Sequence, residues 1–155
     1  MLTSNERKDY ILRMIAQVRQ LVEALLGKLR DGEGADALLA QARDSVARLL
    51  GPMGGVAPRM DSVTAGQMVG DADVLAAWAE VTAAEAEVHR AAGDANAAAT
   101  SARRALELAL EAHLRTPRDS PDLLELIARL RPQVHTASLV PRHTEALAAL
   151  GEDPA

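Results

Sequence analysis

Apolar positions recur at helical spacing along nearly the whole chain, and no alternating stretch of usable strand length interrupts them. The spacing predicts a first helix over residues 5–30, with Ser4 as its N-cap and Gly32 just past its end. Its apolar residues run from Tyr10, Ile11, Met14 and Ile15 through Val18 and Val22 to Leu29. They fill an arc of roughly 160° centred on Val18, whereas a helix packed on one side needs about 100°. The surplus predicts two neighbours, or one neighbour and a second subunit. A second helix over residues 35–50 carries Leu38, Leu39, Ala42, Val46, Leu49 and Leu50 and ends at Gly51-Pro52. Residues 51–61, GPMGGVAPRMD, read as a flexible connector. A short helix over residues 62–69 follows, closed by Gly70, with Asp71 capping the next.

The clearest unit is a helical hairpin. One helix is predicted over residues 72–92, Gly93-Asp94 makes the turn, and another runs over residues 95–115. Val74, Trp78, Val81 and Val88 recur on the first, and Ala98, Ala102, Ala105 and Ala109 on the second. Such Ala-lined faces let two backbones approach closely, so the pair is expected to be antiparallel and tight. Ser120-Pro121 opens a further helix that Pro132 stops, and a last short helix spans residues 141–150. The reading is one all-α domain over residues 1–150 with a frayed tail at 151–155. Its architecture is a set of antiparallel helical hairpins, either a tetratricopeptide-like stack or a small helix bundle.

Two resemblances bear on that reading. Ala86, Gly93-Asp94, Ala98 and Ala105, with Ala105-Leu106-Glu107 at the end, resemble one tetratricopeptide repeat. The large aromatic positions of the repeat are Thr82, His89 and Ala102 here. The opening segment Asp9-Tyr10-Ile11-Leu12-Arg13-Met14-Ile15-Ala16-Gln17 is similar to the start of an uncharacterised bacterial all-helical family, a domain of unknown function. In that family a similar Gly-turn hairpin follows in the second half. The resemblance implies architecture and no activity.

Composition removes several function classes. Of 155 residues none is Cys, which excludes disulfide scaffolds, thiolate metal sites and Cys nucleophiles together. With no Phe, one Trp (Trp78) and one Tyr (Tyr10), the chain cannot build a stacking platform for single-stranded nucleic acid. A net charge of −5 further argues against a phosphate-backbone binder. Ala makes up roughly a fifth of the chain and Arg far outnumbers Lys, a bias that GC-rich codons produce without functional meaning. The polar N-terminal residues and the frequent charges predict neither a signal segment nor a membrane span, so the expected location is cytoplasmic.

Candidate chemistry is sparse. His89 and His113 fall at opposite ends of the hairpin, and His135 and His143 lie in the least regular region with only Glu145 nearby, so no metal site is expected. Counting across the turn sets Glu85 opposite Ala102 and Arg103, which predicts a structural Glu85–Arg103 ion pair at the hairpin seam. Serines sit in no nucleophile elbow, and GPMGG lacks the Lys-Ser/Thr of a phosphate loop. Arg103-Arg104, and Arg115 with Arg118, are expected to point into solvent. Tyr10, Arg13, Met14, Gln17, Val18 and Val22 form the candidate interface, being residue types enriched at interfaces on an arc too wide for one neighbour.

These observations favour a non-enzymatic protein-interaction or scaffold module with no cofactor, binding a protein partner or itself and neither nucleic acid nor membrane. The alternatives are a homodimeric structural protein closed through the first helix, and a small-ligand binder or enzyme with an inter-helix pocket.

Overall fold

The computed structural model describes residues 3–116 and 120–151. Arg118 and the expected tail from residue 152 onward therefore lie outside the described residues. Within them the chain forms seven α-helices and no strand: α1 (Ser4–Arg30), α2 (Ala35–Leu50), α3 (Ser62–Val69), α4 (Ala72–Ala91), α5 (Ala95–Arg115), α6 (Pro121–Leu130) and α7 (Pro141–Leu150).

The helix ends follow from local chemistry. α1 is capped by Thr3 rather than Ser4: the Thr3 hydroxyl accepts from the Glu6 N–H while the Glu6 carboxylate accepts from the Thr3 N–H. Glu6 three residues on from Thr3 is what selects that cap. Asp61, Asp71, Asp94 and Ser120 cap α3, α4, α5 and α6 through their side chains. Gly93 turns the chain between α4 and α5 at φ 81°, a conformation other residues rarely adopt.

Residues 51–61 are more ordered than their glycines and prolines suggest. They contain two 3₁₀ turns, Gly51–Met53 and Ala57–Arg59, and Ala57 is fully buried. Arg104 of α5 holds this segment. Its guanidinium donates to the Ala57 carbonyl at 3.3 Å and to Ser62 Oγ at 2.9 Å, and it lies 5.1 Å from the centre of the Trp78 ring.

α4 and α5 form the most extensive helix pair, and α1 and α2 make a second hairpin packed on α4. α1, α4 and α6 run in the same direction. Arg19 of α1 reaches both Glu80 of α4 and Asp122 of α6, while Arg90 near the end of α4 bonds Gln133 in the turn that follows α6. α3 lies along α5, with Ser62 at Arg104 and Glu107, and Gly66 against Glu111 and Arg115.

α6 and α7 do not make a third hairpin. After α6 the chain returns along α5, where Arg103 donates to the Ser138 side chain and carbonyl. Arg142 and His143 at the start of α7 then meet Glu111. The Gly151 carbonyl beyond its end accepts from Arg131. One hydrophobic core draws residues from all seven helices. No helix among the described residues is long and apolar enough to cross a membrane.

Candidate functional site

The three co-directional helices enclose a groove of about 580 Å³, a size typical of binding clefts. Its apolar lining comes from Val22, Leu26 and Leu29 of α1, Ala83 and Ala84 of α4, and Leu126 and Leu130 of α6. The paired alanines keep α4 low between its neighbours, so α1 and α6 stand as walls. Charge occupies the rims: Arg19, Glu23 and Arg30 on α1, and Asp122, Glu125 and Arg129 on α6. Arg19 bridges one end at 3.6 Å from Glu80 and 3.9 Å from Asp122. Burial pushes the Glu80 carboxyl above its ordinary range; Arg19 opposes this and Asp122 adds to it.

The candidate interface residues of α1 do not share one surface. Tyr10 is 51% exposed and Arg13 is exposed. Met14, Gln17 and Val18 face Ser45 and Arg48 of α2 around a pocket of about 130 Å³. Val18 is only 5% exposed and belongs to the core, and Val22 lines the groove. The arc is wide because α1 packs on both α2 and α4 within one chain, so its centre is occupied without a second subunit. Among the described residues of α1, the large apolar side chains most open to solvent are Tyr10 and Leu12 near its start.

Glu85 and Arg103 do not pair. Glu85 lies on the side of α4 that meets α2, where burial raises its pKa and the nearest compensating charge is Arg43. Arg103 donates to Glu107 of its own helix at 3.4 Å and to Ser138 at 2.8 and 2.9 Å. Counting across a turn sets the level of two residues along a hairpin but not the direction each faces. The pair agrees in level and differs in azimuth. Arg104 is likewise drawn inward, onto Trp78 and Ser62, rather than left in solvent.

The most buried polar cluster was not singled out by the sequence. Glu111 of α5 is 0% exposed. Oε1 accepts from Arg115 at 2.7 Å, and Oε2 accepts from Arg142 at 2.9 Å and faces His143 Nε2 at 2.6 Å. Burial pushes the Glu111 pKa up, but the hydrogen bonds from Arg142, Arg115 and His143 outweigh it, and the net shift is downward. His143 is 1% exposed and its Nδ1 has no partner. The tautomer with the proton on Nε2 donates to the carboxylate and leaves only an acceptor unpaired. His143 thus finds its carboxylate on α5, not at Glu145.

A signal for the cluster did exist. Arg103, Glu107, Glu111 and Arg115 recur every four residues and so share one face of α5. What hid it is that α5 has neighbours on every side, so a polar stripe can be interior. Neither Glu111 nor His143 lines the groove. Among the described residues no three His, Asp or Glu side chains converge as a metal site. No protein-family profile, curated protein or solved structure matches the chain.

Proposed function

We propose that the chain is a non-enzymatic protein-interaction module, tetratricopeptide-like in its central hairpin, that receives a helical segment of a partner protein between α1, α4 and α6. The observation that carries this reading is the groove itself. An apolar floor between charged rims is what a helix-in-groove contact requires, with burial supplying affinity and the rims supplying register. The buried Glu111–His143 contact is closed to solvent, which suits a strut between helices better than a group that meets a substrate.

Photo-crosslinking tests the reading without disturbing the core. A benzophenone side chain is introduced at Glu23 or Glu125, exposed on opposite rims, or at Ala40, exposed on α2 away from the groove. The same partner should be captured from both rims and not from Ala40. Capture that is equal at Ala40, or absent at both rims, would overturn the assignment.

A second reading, self-association through the start of α1, draws on the exposure of Tyr10 and Leu12. Solution mass of the wild type and of Leu12→Glu decides it. A dimer lost on substitution supports that reading, and a wild-type monomer removes it.

A further inference from the structure

The charges along the groove are not randomly placed. α1 carries Glu23 and, seven residues on, Arg30; α6 carries Asp122 and, seven residues on, Arg129. Seven residues are two helical turns, so each pair stays on one face, about 10 Å apart along the axis. Because α1 and α6 run the same way, both rims change sign in the same sense. α4 contributes Glu80 and, again seven on, Glu87, but Glu87 is neutralised by Arg90 at 2.7 Å. One end of the groove therefore gathers Glu23, Glu80, Asp122 and Glu125 around Arg19, with Arg129 also within electrostatic reach of Glu80. The other end presents Arg30 and Arg129. Among the described residues neither Glu23 nor Glu125 has an ion-pair partner.

We infer that the groove selects an amphipathic helix with an acidic residue in its first turn and a Lys or Arg about seven positions later, lying antiparallel to α1 and α6. The inference rests on the groove being the interaction site, as proposed above. Charge complementarity sets the occupant's basic residue at the Glu23–Glu125 end and its acidic residue at Arg30 and Arg129. Direction follows from helix electrostatics. An acidic first turn and a basic last turn each favour the occupant's own helix, and they put its C-terminus at the acidic end. The occupant then runs against α1, α4 and α6, which aligns its macrodipole favourably with theirs. Apolar residues three and four positions apart, between the two charges, meet Val22, Leu26 and Leu126.

The probe is a displayed library of random peptides selected against the full chain, with recovered ligands sorted by competition at the benzophenone-labelled Glu23 position. Groove ligands should converge on Asp or Glu followed about seven positions later by Lys or Arg. Reversing the acidic end with Glu23→Arg and Glu125→Arg, both at exposed positions, should weaken those ligands by about tenfold. A peptide with its basic residue changed to Glu should regain the loss. Groove ligands without the charge pair, or with it in the opposite order, overturn the inference and leave the docking role standing. Recovery of no ligand that competes at Glu23 overturns both.

Discussion

Glu111 and Gly66 depend on each other. A Cβ on Gly66 would stand 3.0 Å from Glu111 Oε1 and 3.2 Å from Arg115 Nη1, so a side chain at residue 66 would press on the carboxylate cluster and require it to give by a few tenths of an ångström. Gly66→Ala should gain up to ~1 kcal/mol in helix propensity and lose more in overpacking, for a net destabilisation of about 1 kcal/mol in urea unfolding. A stabilised variant would mean that α3 does not sit against the carboxylate. Glu111→Gln removes the charge that three donors share and should cost about 3 kcal/mol, since it leaves the mostly buried Arg115 guanidinium without its counter-charge and the buried His143 without its carboxylate. Arg142→Met should cost only about 1 kcal/mol, because that side chain is half exposed. Comparable losses from both substitutions would contradict the burial argument.

Elements differ in how they are held. α4 and α5 interlock through small residues, whereas α3 and the 3₁₀ turns before it lean on α5, where Arg104 makes two of their polar contacts, to Ala57 and Ser62, while resting on Trp78 of α4. Arg104→Ala should destabilise the chain by about 2 kcal/mol. Amide exchange should accelerate over residues 57–69 before it does in α4, and uniform acceleration would show that Arg104 acts on the whole fold instead. α1 separates two residues that the sequence grouped as one interface. Val18→Glu buries a charge in the core and should cost about 3 kcal/mol or more, while Tyr10→Glu should leave the unfolding midpoint nearly unchanged. A solvent-like response at Val18 would restore it to the surface.

For the whole molecule, three carboxylates set opposing pH dependences. Glu80 and Glu85 have raised pKa values, so the folded chain binds their protons more readily than the unfolded chain. Both oppose folding at neutral pH, and that opposition is relieved as pH falls through their raised values. Glu111 is depressed below its ordinary 4.5; its contribution is complete above that value and is lost as pH falls through the folded pKa. Stability should therefore rise from neutral toward mildly acidic pH and then fall. Glu85→Gln should flatten the neutral limb, and Glu111→Gln the acidic one. A stability that falls steadily from pH 7 downward would contradict the partial burial that raises the pKa values of Glu80 and Glu85.

Helix identity and most boundaries were legible because they rest on local terms: 3.6-residue periodicity, Asp71 and Ser120 at N-caps, and Gly93-Asp94 at a turn. The cap of α1 shows the limit of even these, since Ser4 and Thr3 differ only in which lies three residues before Glu6. The width of the α1 arc correctly demanded a second neighbour but could not say that the neighbour was α4 of the same chain. Azimuth, burial and partner choice are properties of the assembly of helices. Arg103 turned to Ser138, Glu85 to the side of α4 that lies toward Arg43, and Glu111 to a histidine thirty-two residues away, none of which any local spacing encodes. The groove is the largest instance. Glu23 and Asp122 each stand seven residues before an Arg, but nothing in that spacing brings them to Glu80, and they become neighbours only because three helices far apart in sequence run in the same direction.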